Sequence, residues 1–212
     1  MIKNIVFDFG GVIFNLSYEG ALASFTAIGL RDAEQRLDRY HQRGIFEELE
    51  SGRMTANEFR AELSQMCNRE LTHDEVMQAW LGYVGGPVDE ARLAYLDELR
   101  ARGYRTFLLS NTNPFVQSWA ESAAFSQAGR PLSSFLEKCY TSYEVGVMKP
   151  DERIFSYMLK DSALVASETL FLDDSQANID AAAALGIQTL LVEKNQDWFE
   201  AVERRLAEEN KS

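Results

Sequence analysis

Residues 2–12 read IKNIVFDFGGV, in which a short run rich in β-branched and aromatic side chains stops at Asp8 and two glycines follow Phe9. A short apolar run bounded in this way is typical of a β-strand buried inside a parallel sheet. The sequence therefore predicts a strand over residues 2–7 that carries a carboxylate at its carboxyl end.

The second half of the chain alternates apolar runs with helical periodicity. Strands are predicted at 105–109, 169–172 and 187–192, helices at 88–102, from about 114, at 151–160, 176–185 and 196–209, and an irregular stretch at about 129–148. Alternation of strands and helices predicts a parallel sheet that is covered on both faces. The expected fold class is α/β, with a doubly wound, Rossmann-like core.

Residues 17–86 differ from the rest because they show helical patterns only. Gly52 marks a helix end, and Thr55-Ala-Asn-Glu58 has the side chains of a capping box that opens the next helix. Gly85-Gly86-Pro87 then breaks the pattern. We expect a core of residues 1–16 and 87–212 and a smaller all-helical cap subdomain of about four helices over 17–86.

Composition narrows the classes of partner. The 212 residues carry a formal net charge of −12 at pH 7, which disfavours binding to nucleic acid or to an anionic membrane surface. Cys67 and Cys139 lack the spacing of a zinc or redox motif and suggest a reducing compartment. There is no signal-peptide pattern and no apolar stretch of the roughly 18 residues that a membrane helix needs. We expect a cytoplasmic protein without membrane or nucleic-acid partners.

Polar side chains stand in four loops of the predicted core, three of them directly after strands. They are Asp8, the pair Ser110-Asn111, Lys149 just before a helix, and the pair Asp173-Asp174. Each alone is typical of a turn or a helix cap. Together they supply carboxylates for a hard cation, and a cation, a hydroxyl and an amide for an anion, and the carboxyl ends of parallel strands meet at one edge.

These loops resemble the four motifs of the haloacid dehalogenase superfamily: hhhDxxG, hhhSN, KPD before a helix, and hhhDD, where h is an apolar residue. FDFGGV, FLDDSQANI and the cap string FEELESGRMTANEF resemble the branch that includes bacterial α-glucose-1-phosphatase-like proteins and the N-terminal domain of soluble epoxide hydrolase. The resemblance spans nearly the whole chain. It implies a Mg²⁺-dependent phosphomonoester hydrolase acting on a small phosphorylated metabolite, with a sugar phosphate the favoured substrate.

The resemblance also implies a role for each residue. Asp8 would attack phosphorus to give an aspartyl-phosphate, and Lys149 would offset the charge between nucleophile and phosphate. Ser110 and Asn111 would bind the transferring phosphoryl group. The implied Mg²⁺ ligands are Asp8, the backbone carbonyl of Gly10, Asp173 and Asp174, and Asn178 is a candidate to steady the metal loop.

Gly10 departs from the family pattern, which usually has a second aspartate two residues after the nucleophile to act as general acid and base. Three explanations stay open. The favoured one is a substrate with a good leaving group, such as an anomeric sugar phosphate or an acyl phosphate. Alternatively, the cap supplies the acid, or the chain binds a ligand without turnover. The cap candidates are Tyr18, His41, Glu47 and Glu50.

A 2-haloacid dehalogenase is the alternative enzyme, because dehalogenases of this superfamily also lack the second aspartate. Asp173-Asp174 argues against it, since an acidic pair without a cation would repel both Asp8 and a carboxylate substrate. A phosphonate-cleaving enzyme would need a lysine in its cap, and residues 17–86 contain none.

Overall fold

One parallel sheet organises the molecule, whose computed structural model describes residues 1–37 and 43–209. Its strands, in chain order, are β1 (Asn4–Phe7), β2 (Arg105–Ser110), β3 (Lys138–Thr141), β4 (Thr169–Asp173) and β5 (Gln188–Leu191). They lie in the order β3-β2-β1-β4-β5. The chain moves outward from β1 to β3 and then returns to the other side of β1, so the switch point at which ligands bind in such sheets lies between β1 and β4.

Five helices lie between β1 and residue 86 in the described part of the chain. They are α1 (Tyr18–Ala27), α2 (Ala33–Arg36), α3 (Ile45–Glu50), α4 (Ala56–Met66) and α5 (His73–Leu81). Both parts of the predicted capping box are present, because Thr55 Oγ1 accepts from the Glu58 amide and Glu58 Oε2 accepts from the Thr55 amide. The helices surround a buried aromatic cluster, which consists of Phe25, Phe46, Phe59 and Trp80. The division into cap and core at residues 17 and 86 stays a prediction.

The remaining helices cover the sheet. They are α6 (Glu90–Ala101), α7 (Pro114–Ala120), α8 (Ser142–Val145), α9 (Glu152–Asp161), α10 (Gln176–Ala184) and α11 (Phe199–Glu209), with short 3₁₀ helices at Leu132–Ser134 and Ala166–Glu168. Within residues 1–37 and 43–209, no helix has both the length and the apolar character that crossing a membrane requires.

Successive residues of the strands face opposite sides of the sheet. Val6 and Phe171 pack with the apolar side chains of α9 and α10. Phe7 and Leu172 pack on the other side with those of α6, α7 and α11. This alternation, with both faces buried, confirms the predicted doubly wound α/β fold.

The expectation of irregular structure over residues 129–148 is wrong at its end, where β3 and α8 form. β3 is a four-residue edge strand with the sequence KCYT, and its first residue is exposed. A strand at the edge of a sheet pairs with a single neighbour and is partly exposed, so it does not need a continuous apolar run. Its sequence therefore carries no clear strand pattern.

Candidate active site

The ends of β1, β2 and β4 bring the predicted residues to one edge of the sheet. Because Phe7 pairs with Leu172, Asp8 lies beside Asp173, and the Asp8 amide donates to the Leu172 carbonyl at 2.9 Å. Ser110 ends β2 on the other side of β1. Asp8 and Ser110 line one cavity, so the loops that the sequence singled out converge.

Lys149 joins two carboxylates at the centre of this edge. Its ammonium lies 2.8 Å from Asp8 Oδ1 and 2.6 Å from Asp173 Oδ2, and 2% of its side chain is exposed. Burial alone would lower the pKa of Lys149, but the charges of Asp173 and Asp8 outweigh it and raise that pKa above its usual value. A lasting positive charge therefore lies between the two carboxylates.

Lys149 alone does not bring the pKa of Asp8 down to the ordinary value of a carboxyl. Its side chain is 14% exposed, and burial raises its pKa to about 7 although Lys149 opposes the shift. The nearby carboxylates Asp173 and Asp174 raise that pKa further. A cation bound at this edge would act in the same direction as Lys149 and keep Asp8 ionised at neutral pH.

The adjacent carboxylates after β4 differ in how their oxygens are used. Asp173 is fully buried, and besides Lys149 it accepts from the Ser175 amide at 2.8 Å and from Asn178 Nδ2 at 3.0 Å. Asp174 Oδ2 is buried and makes no aligned hydrogen bond, although Lys194 Nζ lies 3.3 Å away as an ion pair. A buried carboxylate oxygen without a donor is costly, and a cation ligand relieves that cost.

The residues present fit a divalent cation. Asp8, Asp173 and Asp174 each offer an oxygen within 4.8 Å of the others. Carboxylate oxygens are the ligands that Mg²⁺ prefers in proteins. Gly11 lies against the same group, since a Cβ built on it would stand 2.8 Å from Asp174 Oδ2, and its φ is +87°. Glycine is therefore the residue that lets the loop approach this carboxylate.

Two asparagines hold the charged groups in place. Asn178, predicted to steady the metal loop, bonds both oxygens of Asp173. The Asn111 side chain exchanges two hydrogen bonds of 2.8 Å with the backbone of Lys149. Asn111 thus positions Lys149, a role that the sequence did not suggest. The contact of Ser110 and Asn111 with a phosphoryl group stays a prediction.

The space over Gly10 is occupied by apolar side chains. A Cβ built on Gly10 would lie 2.6 Å from Leu16 Cδ1 and 3.4 Å from Phe14 Cζ. Leu16 and Phe14 both line the cavity. Apolar side chains therefore fill the space that the side chain of the family's second aspartate would need.

The candidate acids of residues 17–86, the helical insert, differ in whether they line the cavity. Glu50 lines the cavity, together with the aromatic side chains of Trp80 and Tyr83. The Tyr18 hydroxyl donates to the backbone carbonyl of Leu37, and Glu47 forms a surface ion pair. His41 lies outside the described residues.

Glu50 is the last residue of α3, and 8% of it is exposed. Burial raises its pKa to about 8, and a hydrogen bond from the Asn113 side chain opposes part of that shift. The carboxyl therefore keeps its proton at neutral pH. The cavity beneath it measures about 120 Å³.

Lys194 is a residue of the site that sequence reasoning missed. It lines the cavity and faces Asp174. It lies in the loop after β5, three residues beyond the end of the strand, whereas Asp8 directly follows β1. Its position in the loop after the last strand is the sequence signal for it, because ligands bind at the carboxyl ends of the strands in such sheets.

Known proteins are similar to this chain over nearly its whole length. The D-ribitol-5-phosphate phosphatase of Bacteroides thetaiotaomicron is 51% identical over 198 residues, which are 93% of this chain and 95% of that protein. A predicted haloacid dehalogenase-like hydrolase from Porphyromonas gingivalis superposes with a TM-score of 0.91 at 44% identity, over 97% of this chain and 98% of that one. A further family enzyme from Bacteroides thetaiotaomicron, solved with magnesium and inorganic phosphate, superposes with a TM-score of 0.85 at 33% identity, over 93% and 98%.

The chain also matches a model built for a whole protein family. The model of the haloacid dehalogenase-like hydrolases matches residues 2–186, a span that holds β1 to β4 and the residues of the four motifs. The resemblance inferred from the sequence is confirmed. The chain belongs to the haloacid dehalogenase-like hydrolases.

Proposed function

We propose that the chain is a Mg²⁺-dependent phosphatase that hydrolyses the phosphate monoester of a small sugar or polyol through an aspartyl-phosphate on Asp8. The observation that carries the proposal is Lys149 bound between Asp8 and Asp173, with the unsatisfied oxygen of Asp174 in the same acidic cluster. A carboxylate attacks a phosphate anion where positive charge offsets their repulsion.

Each of these side chains and backbone groups has its own role in the proposed phosphoryl transfer. Asp8 forms the bond to phosphorus, and Lys149 orients it and offsets the charge that two anions bring together. The Ser110 hydroxyl binds a phosphoryl oxygen from the end of β2. Asn111 contributes its backbone amide, because its side chain is bound to Lys149.

The residues proposed to hold Mg²⁺ are Asp8, Asp174 and the backbone carbonyl of Gly10, with Asp173 beside them in the same cluster. When bound, Mg²⁺ supplies a Lewis acid that stabilises charge on the transferring phosphoryl group. Asp173 contributes its charge and, through its contacts with Lys149 and Asn178, keeps the cluster rigid.

The proposed substrate class follows from the cavity and from the most similar relative described above. A cavity of about 120 Å³ is small beside the roughly 300–1,000 Å³ of typical ligand pockets and suits a small metabolite. The relative that is 51% identical is a phosphatase of D-ribitol 5-phosphate. That compound is a primary alkyl phosphate, whose alkoxide is a poor leaving group. This favours a cap-borne acid over the explanation of Gly10 by a good leaving group.

The proposal extends to the organisation and location of the enzyme. Residues 17–86 would close as a cap over the core of residues 1–16 and 87–212, excluding water and selecting the substrate. Cys67 and Cys139 are free thiols, which agrees with a reducing compartment such as the cytoplasm.

The test is phosphate release from a panel of sugar, polyol and acyl phosphates, with Mg²⁺ or with a chelator. We expect metal-dependent release by the unchanged protein and none above background by Asp8→Asn. Asp74→Asn is the matched control, because Asp74 is exposed in the first turn of α5 and should leave activity unchanged.

Other outcomes of this experiment point elsewhere. Halide release from a 2-haloacid in the presence of chelator would support the dehalogenase. Saturable thermal stabilisation by a phosphorylated metabolite without turnover would support a binding protein. Either result, without phosphate release, would overturn the proposal.

A further inference from the structure

A phosphatase of alkyl phosphates has to protonate its leaving group, and Gly10 carries no acid. Among the described residues, the titratable side chains that line the cavity are Asp8, Glu50, Tyr83, Lys149, Asp174 and Lys194. Asp8 is the proposed nucleophile, Lys149 is bound to two carboxylates, and Asp174 faces Lys194. A tyrosine ordinarily titrates near pH 10, so near neutral pH it is a much weaker acid than a carboxyl and is less suited to general acid catalysis. Glu50 is left.

We propose that Glu50 supplies the acid and base catalysis that the missing aspartate would have supplied, first protonating the leaving oxygen and then deprotonating the attacking water. The inference rests on the phosphatase function proposed above.

Glu50 is fixed against the core by its own backbone. Its carbonyl accepts a hydrogen bond from Ser142 Oγ at 2.5 Å, and the same hydroxyl accepts from the Thr112 amide at 3.0 Å. Thr112 lies directly after the Ser110-Asn111 pair. The carboxyl-bearing end of α3 is therefore tied to the loop that is proposed to bind the phosphoryl group.

Gly52 provides a second, independent constraint. Its φ is +72°, and a Cβ built on it would lie 2.2 Å from the backbone carbonyl of Tyr143 in α8. The chain leaves α3 in direct contact with the backbone of the core, as glycine allows. The position of Glu50 over the cavity is thus set by two contacts on either side of one turn.

The protonation state suits the task. Loss of hydration on burial raises the pKa of Glu50, and the Asn113 side chain opposes the shift as a hydrogen-bond donor. The charged groups that share the cavity, named above, are not among the causes of the shift. A carboxyl that keeps its proton at neutral pH is what a general acid requires.

The proposed reaction has two steps, and Glu50 gives up its proton in the first and regains a proton in the second. In the first, Asp8 forms a bond to phosphorus, the ester P–O bond breaks, and the leaving oxygen takes the proton of Glu50, giving the free alcohol. In the second, the Glu50 carboxylate takes a proton from water as its oxygen attacks phosphorus. The bond from phosphorus to Asp8 breaks, phosphate leaves, and both carboxyl groups return to their starting forms.

The test compares two leaving groups in Glu50→Gln, which replaces the protonated carboxyl with a neutral amide of the same shape. On a primary alkyl phosphate such as ribitol 5-phosphate, we expect kcat to fall by roughly 10²–10⁴-fold, the usual contribution of general acid–base catalysis. Nitrophenolate leaves without a proton. With p-nitrophenyl phosphate, the first turnover should therefore keep its rate within a few-fold, and a burst equal to the enzyme concentration should precede slow turnover.

Glu48→Gln, on the same helix but outside the cavity, is the control and should behave as the unchanged protein on both substrates. Equal losses on the two substrates with no burst would overturn the proposal and leave Glu50 a structural role. Absence of phosphate release by the unchanged protein on every substrate would instead count against the phosphatase function itself.

The pH profile of the unchanged protein gives a check that needs no variant. On the alkyl phosphate, kcat should fall as pH rises through about 8, because Glu50 loses its proton there. The burst rate on p-nitrophenyl phosphate should lack this fall. A fall of the same size on both substrates would contradict the assignment.

Discussion

Glu50 also links the stability of the fold to pH. The ordinary pKa of its carboxyl is 4.5, whereas burial raises the pKa in the folded protein to about 8. Between these values the unfolded chain has lost this proton and the folded chain has kept it. The folded state therefore binds more protons, and the contribution of Glu50 to stability falls as pH rises, until both states are ionised above about pH 8.

We predict that Glu50→Gln removes this dependence. Urea unfolding of both proteins at pH 4.5, 7 and 9 measures it. Relative to the variant, the unchanged protein should lose about 1.4 kcal/mol of unfolding free energy per pH unit within that window, and the gap should level off at alkaline pH. Glu48→Gln should follow the unchanged protein. Parallel pH curves for Glu50→Gln and the unchanged protein would show that Glu50 titrates normally.

Residues at strand ends were predictable from the sequence, and residues that act through the tertiary structure were not. Asp8 and Asp173 stand directly after buried apolar runs, so their meeting at one sheet edge follows from the parallel topology. The bond between Asn111 and the backbone of Lys149 joins residues 38 positions apart. Glu50 was one of four candidates in the insert, and its burial depends on how α3 packs on the core.

The turn between α3 and α4 is the element on which the position of Glu50 depends. Gly52 combines a left-handed backbone with the contact to the Tyr143 carbonyl, whereas Gly103, at the turn before β2, has a φ of +92° and open space around it. Alanine at Gly103 has to adopt an unfavourable backbone conformation. Alanine at Gly52 has to adopt such a conformation too, and its Cβ also has to push the backbone carbonyl of Tyr143 away.

We predict that Gly103→Ala costs roughly 1–2 kcal/mol of unfolding free energy and that Gly52→Ala costs at least about 1 kcal/mol more. Chemical denaturation measures both. Gly52→Ala should also slow hydrolysis of alkyl phosphates, because the turn holds Glu50 over the cavity, while Gly103→Ala should not. Equal destabilisation by the two changes would mean that the contact of Gly52 with α8 contributes nothing.

At the scale of elements, the sequence predicted what periodicity and caps encode. The four predicted strands and the capping box at Thr55 and Glu58 are present. β3 was missed because a short edge strand that is partly exposed needs no apolar run. How the insert packs on the core depends on contacts between distant residues, such as Ser142 with Glu50, and no local pattern records them.

The whole molecule places an acidic cluster at the switch point of its sheet, in a chain with a formal net charge of −12. Three carboxylates, Asp8, Asp173 and Asp174, lie there close together. Lys149 is bound to two of them, and Lys194 faces the third. A ligand that binds the folded state alone stabilises it by mass action, so the fold should be more stable when a divalent cation adds positive charge to this cluster.

We predict that Mg²⁺ raises the melting temperature of the protein and that Asp174→Asn removes most of this gain. Saturation to 100 times the dissociation constant should add about 2.7 kcal/mol to the unfolding free energy. Thermal melts with Mg²⁺ and with chelator measure the difference. Asp180→Asn, in the helix α10 that follows Asp174, is the control, since its exposed carboxyl bonds only Gln176 among the described residues. An unchanged Mg²⁺ gain in Asp174→Asn would remove Asp174 from the metal site.

The central claim is that Asp8 carries the phosphoryl group during turnover. Its most direct test is acid quenching of the enzyme within one turnover of p-nitrophenyl phosphate, in the Glu50→Gln background that should accumulate the intermediate, followed by mass spectrometry of its peptides. The account predicts the added mass of one phosphoryl group on the N-terminal peptide, localised to Asp8. Phosphate release with that peptide unmodified, or with the phosphoryl group on another residue, would contradict it.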